Sequence, residues 1–226
     1  PGLLYTFNIH KLRKQCLEAL VKKIQGLYVV IKTTTENEYL PMELAKMAID
    51  EGADIIQFRD SGKGSQDFLF TAKGIREICL KAGVTFIINS HVDIAIAIDA
   101  DGVHLEQKDL PIPIARNILG QGKIIGKSVR TFEKAQQIEK DGADYIVFEN
   151  IPPKQVQEKK SSPLKKESLQ KLCSISTLPV FASDGVTEEN LSKIFEIGAA
   201  GIMLFLAVSD SEDPQKDIKC LKERIK

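Results

Sequence analysis

Short apolar runs alternate along this chain with longer stretches in which apolar residues recur at helical spacing. Nearly continuous runs of Val, Ile, Leu and Phe are typical of strands buried on both faces. The longer stretches suit amphipathic helices, so the rhythm predicts repeated βα units and a parallel sheet. The eight predicted strands are Leu27–Lys32, Asp54–Arg59, Val84–Asn89, Gly102–Leu105, Lys123–Ser128, Asp144–Phe148, Pro179–Ala182 and Gly201–Phe205.

Helix signals lie between these strands. Pro41 and Pro111 fit first-turn positions, where a missing N–H costs no hydrogen bond. A glycine follows four helical stretches, where a left-handed residue ends a helix, in the phrases EGADIIQF, KAGVTFII, DGADYIVF and IGAAGIML. We interpret these phrases as loops at the bottom face of a barrel. Predicted helices include Pro41–Glu51, Gln66–Lys81, Thr131–Asp141 and Thr187–Ile197, and the glycines are Gly52, Gly83, Gly142 and Gly198.

Eight βα units in 226 residues predict a single (β/α)8 TIM barrel, whose usual length is roughly 250 residues. The amphipathic stretch Ile9–Ile24 predicts an extra N-terminal helix that closes the barrel floor. The predicted layout is an extension over 1–26, the barrel over 27–210 and a C-terminal helix over 211–226. The loop Glu149–Pro163 is long, lysine-rich and free of glycine, and we interpret it as a mobile lid or a solvated loop.

Composition excludes some partners. Lys plus Arg and Asp plus Glu number 31 each, so no global field draws the chain to nucleic acid or an anionic membrane. No apolar run approaches the ~20 residues of a membrane span, and the first residues lack the apolar centre of a signal peptide. We therefore expect a cytoplasmic protein with a small-molecule ligand and no nucleic-acid or membrane partner, while homo-oligomerisation stays open.

Polar residues gather where the predicted strands end, which is where barrels of this kind carry their chemistry. Arginine and lysine there could hold an anion, and Asp109 could hold Mg²⁺. His104 has an alternative interpretation as a hydrogen-bonded core histidine, and Lys32 and Lys127 as solvated strand-end charges. The ring comprises Lys32, Gln57, Arg59, Asn89, Ser90, His91, His104, Glu106, Gln107, Asp109, Lys127, Ser128, Arg130, Glu149, Asn150, Ser183, Asp184, Gly185, Phe205 and Leu206.

Five segments resemble, in order, motifs of the thiamin phosphate synthase/TenI family. DIIQFRD resembles the family's Q-[LF]-R-E-K, and IINSHVDIAIAIDADGVHLEQKDLP resembles I-N-D-[RD] followed by D-G-V-H-x-G-Q-x-D. IIGKSVRT, DGADYIVF and FASDGVTEENLSKIFEIGAAGIMLF resemble the fifth strand, the sixth strand and the phosphate-binding end of the barrel. The resemblance covers about residues 27–210 and implies a TIM barrel of thiamin biosynthesis.

The resemblance also implies a reaction. The synthase joins a pyrimidine methyl pyrophosphate to a thiazole phosphate, and Mg²⁺ with basic groups stabilises the leaving pyrophosphate. The matching positions imply pyrimidine contact by Gln57, pyrophosphate contact by Arg59, Asn89 and Ser128, magnesium binding by Asp109, and a thiazole-phosphate loop at Gly185. Other substrate-binding candidates at the barrel mouth are Lys32, His104, Gln107, Lys127 and Asp184.

Several family residues are replaced. The changes are Ser61 for a lysine, Ser90 for the second magnesium carboxylate, ENIPPKQVQ for the lid motif, Asp184 for a phosphate-loop glycine and Leu206 for a serine. An Asp184 carboxylate ~4 Å from a phosphate, at an effective dielectric near 20, would oppose binding by about 4 kcal/mol. We therefore predict weak or altered synthase activity.

Three hypotheses follow. The leading one is a TenI-like paralogue that binds a thiazole, pyrimidine or phosphate-bearing ligand, with weak or altered catalysis. The second is an active synthase, which is a transferase. It would use Lys63 and Lys154 as substitutes for family residues and Asp109 as the only carboxylate that binds the metal. The third is a non-enzymatic, ligand-sensing barrel.

The TenI branch adds a possible isomerase activity, thiazole tautomerisation. GKSVRT resembles its G-R-S-V-H-S, and the proton-shuttling histidine of that motif falls at Arg130. Arginine stays charged and cannot act as a general base at neutral pH. His91 and His104 are the nearby substitutes, and His91, at a strand top, is the preferred one. The candidate catalytic residues are Arg59, His91, Ser128 and Arg130.

Overall fold

Eight parallel strands close into a barrel, in which each strand pairs with its sequence neighbours and β8 returns to β1. The computed structural model describes residues 24–32, 39–59, 65–149, 166–183, 185–206 and 213–225. The predicted (β/α)8 barrel is confirmed. The strands are β1 Gly26–Lys32, β2 Ile55–Arg59, β3 Thr85–Asn89, β4 Gly102–Leu105, β5 Ile124–Val129, β6 Tyr145–Phe148, β7 Val180–Ala182 and β8 Gly201–Leu206.

A helix follows each strand. The helices are α1 Pro41–Asp50, α2 Ser65–Ala82, α3 Val92–Ala97, α4 Ile112–Leu119, α5 Phe132–Lys140, α6 Lys166–Ile175, α7 Leu191–Glu196 and α8 Pro214–Arg224. The four predicted junction glycines all have positive φ, between 70° and 95°, as a left-handed helix end requires. The predicted N-terminal helix, apart from Ile24, and the predicted lid after Glu149 lie outside the described residues.

Strands β2 and β6 begin one residue later than predicted, just after Asp54 and Asp144, whose side chains bond to the neighbouring strand at the bottom face. Each of three carboxylates accepts a hydrogen bond from a backbone N–H near the start of the preceding strand. The bonds are Leu27 N to Asp54, Phe86 N to Asp101 and Ile125 N to Asp144, at 2.8, 2.9 and 2.7 Å. Two of these aspartates belong to the repeated GAD phrase and Asp101 lies just before β4, and each joins its βα unit to the one before it.

Helix α7 is shorter than the predicted Thr187–Ile197. The side chain of Asn190 explains its late start, because its Oδ1 accepts from the Thr187 N–H at 2.9 Å. Its Nδ2 donates to the Gly185 carbonyl at 2.7 Å. These bonds hold the preceding residues in a turn and compete with helical hydrogen bonding.

The apolar core has two layers, one between barrel and helices and one inside the barrel. Three aromatic rings, Tyr28, Tyr145 and Phe181, fill the inner layer and contact one another with centroids 5.5–5.9 Å apart. Gly126 makes room for them, because a Cβ on it would lie 1.9 Å from Cζ of Tyr145. Among the described residues, no helix is long and apolar enough to cross a membrane.

Candidate functional site

Polar side chains replace apolar ones toward the C-terminal end of the barrel interior. Gln57, Asn89, His104 and Ser128 come from the consecutive strands β2 to β5, and all four are buried. Along a strand, alternate residues share a face, so each belongs to the inward set that continues the inner core. The predicted ring is therefore partly an interior layer of the barrel.

A continuous hydrogen-bond chain crosses this layer. The Tyr28 hydroxyl donates to Gln57 Oε1 at 2.7 Å and lies 2.8 Å from the Tyr145 hydroxyl. The Tyr145 hydroxyl lies 3.0 Å from Nδ1 of His104, whose Nε2 lies 3.0 Å from Ser128 Oγ. We call these five residues the relay. It connects two residues implied to contact different parts of a ligand.

Burial sets the protonation of the relay. Burial is the main cause that lowers the pKa of His104 to about 3, and the positive charges of Arg59 and Lys127 contribute to the same shift. Burial also raises the pKa of Tyr28 and of Tyr145 well above the usual value for tyrosine. At neutral pH the imidazole therefore carries one proton and both phenols keep theirs. His104 lies in the interior, as its alternative interpretation as a core histidine predicts.

Two ion pairs surround the opening above the relay. Arg59 NH1 lies 2.5 Å from Glu106 Oε1, and Arg130 NH2 lies 2.8 Å from Glu149 Oε2. All four side chains are partly exposed. We call these the mouth ion pairs. Glu106 stands where the family motif D-G-V-H-x-G-Q-x-D has its second glycine. Its carboxylate therefore pairs with Arg59, the arginine that the resemblance implies to bind pyrophosphate.

A cavity of about 550 Å³ beside the opening brings together five predicted site residues. Its polar lining includes Gln107, Asp109, Lys127, Ser128 and Arg130. From there the cavity follows β5 and α5 down the outside of the barrel wall, where Lys134, Gln137 and Asp141 line it. It therefore joins the barrel opening to an outer groove.

Lys127 belongs to the outer groove rather than to the barrel interior. It lies between Gly126 and Ser128, and alternation on β5 places it on the face of the outer-core residues Ile125 and Val129. Burial lowers the pKa of Lys127, whereas Asp109 and Asp141 oppose that shift by favouring the charged form. A ligand in the cavity could contact Lys127 only from the groove side.

The described residues provide few ligands for Mg²⁺. Asp109 Oδ2 accepts from the Glu106 backbone N–H at 2.7 Å, and the second family carboxylate is Ser90. No group of three or more His, Cys, Asp or Glu in the described part of the chain could hold a metal ion. The site therefore provides one carboxylate and no preformed cage, and a magnesium ion would need the phosphates of a ligand to complete its coordination.

His91 lies apart from the cavity-lining residues. It is exposed, precedes α3, and its ring packs 4.8 Å from that of Phe68, a residue of the outer core. Ser90 before it has a positive φ of 59°, which is uncommon for a residue other than glycine. A tautomerase role for His91 stays a prediction.

The remaining predicted residues lie at the strand ends. Lys32 ends β1 beside Arg59 in the strand register and is half-buried. Gly185 follows β7 with a φ of 68°. Asp184 lies outside the described residues, as do Ser61, Lys63 and Lys154. The side chain of Leu206 is not described either.

Two interior residues of this site escaped the sequence reasoning. Tyr28 and Tyr145 look like ordinary strand residues, and only their alternation with inward positions could have pointed to the relay. Ser183, in the predicted ring, is fully buried, and its hydroxyl has no hydrogen-bond partner among the described residues. A buried hydroxyl of this kind is costly unless a ligand or water pairs it.

Comparisons with known proteins point to one family. A family model described as thiamine monophosphate synthase matches residues 27–208. The thiamine-phosphate synthase of Chlorobium luteolum is 36% identical over 192 residues, which are 85% of this chain and 91% of that protein. Its Chlorobium limicola counterpart is 39% identical over 181 residues, covering 80% and 86%. The solved thiamine phosphate pyrophosphorylase of Pyrococcus furiosus has a TM-score of 0.77 and 30% identity, covering 90% of this chain and 96% of that one.

Proposed function

We propose, from the premise that this chain belongs to the thiamine monophosphate synthase family, that its barrel mouth binds the phosphate-bearing substrates of thiamine-phosphate synthase and joins them only slowly. In that reaction the pyrimidine methylene carbon loses pyrophosphate with the bonding electron pair. The thiazole nitrogen then forms the new C–N bond through its lone pair. The protein's task is to hold the ring and to stabilise charge on the departing pyrophosphate.

The Arg59–Glu106 ion pair carries this proposal. Arginine suits pyrophosphate because its guanidinium makes paired hydrogen bonds to an anion. Here the Arg59 guanidinium lies 2.5 Å from the carboxylate of Glu106. The family motif has glycine at the position of Glu106. An arriving pyrophosphate must therefore displace Glu106 or bind beside its negative charge. Either route weakens binding of the leaving group and slows its departure.

Replacing the carboxylate tests this idea directly. Glu106→Gln keeps the side-chain shape and releases Arg59, so affinity for inorganic pyrophosphate should rise about tenfold or more. Isothermal titration calorimetry measures it. Glu77→Gln removes the same charge from an exposed position on α2 and should leave the affinity unchanged. Equal affinities for wild type and Glu106→Gln would contradict the proposal.

The rate at which the protein forms thiamine phosphate is the second test of the proposal. Purified protein incubated with both synthase substrates and Mg²⁺ should form thiamine phosphate far more slowly than ~1 s⁻¹, the low end of ordinary enzyme rates. Glu106→Gln should increase that rate. The expected signal is formation of thiamine phosphate that depends on both substrates.

A fully active synthase is the second candidate, and similarity favours it. Curated proteins named thiamine-phosphate synthase are 36–39% identical to this chain over most of its length. Substrate phosphates would then complete the coordination of a magnesium ion at Asp109. Wild-type turnover near 1 s⁻¹ or above would establish this reading and exclude the slow one.

A further inference from the structure

The relay has few complete hydrogen-bond arrangements. Its four links join Gln57, Tyr28, Tyr145, His104 and Ser128 in that order. Each hydroxyl has one proton to donate, and the neutral imidazole has one. Every link needs one proton, and an unpaired hydroxyl proton is costly in the interior, so each tyrosine must donate along the chain. Under these two conditions the direction of the first link dictates the direction of all the others. Only two arrangements pair every link and leave no buried tyrosine proton unpaired.

In the first arrangement, which contains the bond assigned in the structure, Tyr28 donates to Gln57 Oε1. Tyr145 must then donate to Tyr28 and accept from Nδ1–H of His104. Nε2 of the imidazole is left as an acceptor, so Ser128 donates to it. The hydroxyl of Ser128 can then offer a ligand only its lone pairs, which do not suit an anion.

The second arrangement reverses every link. The amide of Gln57 turns over and donates from Nε2 to Tyr28, which donates to Tyr145, which donates to Nδ1 of His104. The imidazole proton moves to Nε2 and is donated to Ser128 Oγ. The hydroxyl proton of Ser128 is then free to bind an anion. At the other end, Gln57 turns its carbonyl oxygen away from Tyr28 and can accept from a ligand.

We propose that Tyr28, Tyr145 and His104 are positioning residues that couple the two ends of the relay, so that a hydrogen-bond donor at Gln57 and an anion at Ser128 bind cooperatively. This inference rests on the proposed function, in which Gln57 contacts the pyrimidine and Ser128 the pyrophosphate. An aminopyrimidine linked to pyrophosphate carries both groups and selects the second arrangement from both ends.

Burial makes the coupling possible. Tyr28 and Tyr145 are at most 1% exposed and His104 is 2% exposed, so bulk water cannot supply a missing donor or acceptor in mid-chain. A mismatched link would leave a buried polar group unpaired, which the interior penalises. Ser128 is 5% exposed and is among the residues that line the cavity, so a ligand in the cavity would lie beside its end of the chain.

The imidazole of His104 reports the arrangement directly. Nitrogen-15 NMR of histidine-labelled protein distinguishes Nδ1–H from Nε2–H, and the chain has three histidines to assign. We expect Nδ1–H in the free protein and Nε2–H when inorganic pyrophosphate is bound. An unchanged tautomer at saturating pyrophosphate would overturn the relay, and this measurement needs no variant.

Ligand coupling gives an independent test. Calorimetry measures the affinity for pyrophosphate with and without hydroxymethylpyrimidine, whose ring carries an amino donor. In wild type the pyrimidine should tighten pyrophosphate binding about fivefold or more. Tyr145→Phe removes the middle of the relay and should abolish most of that enhancement. Direct contact between the two ligands is the same in both proteins and cancels in the comparison.

Phe181→Leu is the matched control, because Phe181 packs against both tyrosines but takes no part in the relay. It should keep the wild-type enhancement. Tyr28→Phe breaks the relay at another link and should behave like Tyr145→Phe. If both ligands bind but the enhancement survives in both tyrosine variants, the relay is wrong and the proposed function stands. If wild type binds neither ligand, the proposed function fails and the coupling fails with it.

Discussion

The relay and the mouth ion pairs lie at the same end of the barrel, yet they hold polar groups in opposite ways. Tyr28 is fully buried, and its bonds reach other buried groups. Arg59 and Glu106 are 34% and 38% exposed, so water competes for both. The relay can be broken only at the cost of unpaired buried groups. A mouth ion pair can exchange one partner for a ligand at a smaller cost, because its side chains are partly solvated.

This difference separates two tasks that the sequence places in a single ring. The buried layer orients Gln57 and Ser128 from below, and the exposed layer supplies charge from above. If burial decides how much each layer stabilises the fold, variants in the buried layer should lose more free energy of unfolding than variants at the mouth.

The largest effect is expected at the glycine that makes room for the relay. Gly126→Ala places a Cβ about 2 Å from ring atoms of Tyr145, so the ring must shift and the relay with it. The free energy of unfolding should fall by about 3 kcal/mol, the upper part of the range for overpacking. Chemical denaturation measures it, with Gly122→Ala as the control because nothing lies within 4 Å of its Cβ. Equal stabilities for the two variants would show that the interior is loosely packed.

Removing one relay hydroxyl should cause the next largest loss of stability. Tyr145→Phe leaves Tyr28 and His104 each short of one buried partner, and the free energy of unfolding should fall by about 2 kcal/mol. Tyr39→Phe removes a hydroxyl from an exposed tyrosine and should change stability by less than about 0.5 kcal/mol. A loss below 0.5 kcal/mol for Tyr145→Phe would mean that the relay contributes little to stability.

The burial of His104 predicts a pH dependence of stability. Its pKa is about 3 in the folded protein and about 6.5 in the unfolded chain. Between these values the unfolded state binds more protons, so stability is fully present above pH 6.5 and falls as the pH drops toward 3. The slope from one such group is at most about 1.4 kcal/mol per pH unit. Denaturation at several pH values should show a shallower slope for His104→Gln, and parallel slopes would show that His104 is protonated at a higher pH.

The smallest effect on stability is expected for the mouth ion pairs. Glu149→Gln weakens the pair with Arg130, whose side chains are 19% and 31% exposed. The free energy of unfolding should change by less than about 1 kcal/mol, and the difference should shrink further in high salt. Thermal denaturation at low and high salt measures it. A loss as large as that for Tyr145→Phe would remove the distinction between the two layers.

Local patterns predicted most of the fold because local chemistry produces it. Buried strands read as apolar runs, and Gly52, Gly83, Gly142 and Gly198 stand where helices end with a positive φ. The late start of α7 was not predictable from apolar spacing, since it depends on the two hydrogen bonds of the Asn190 side chain. Lys127 entered the predicted ring because it lies near a strand end, although alternation on β5 places it on the outer face.

The barrel, the family and the strand-end residues from which a site is built could all be predicted from the amino-acid sequence. Those features follow from periodicity and from motifs that occupy neighbouring positions. Which of those residues come into contact depends on how the barrel closes. Tyr28 and Tyr145 are 117 positions apart and touch because barrel closure brings β1 and β6 across one interior. The carboxylate of Glu106 reaches Arg59 for a similar reason: β2 and β4 curve toward a common mouth. Contacts across a closed barrel depend on how all eight strands twist and tilt together, and no local pattern encodes that.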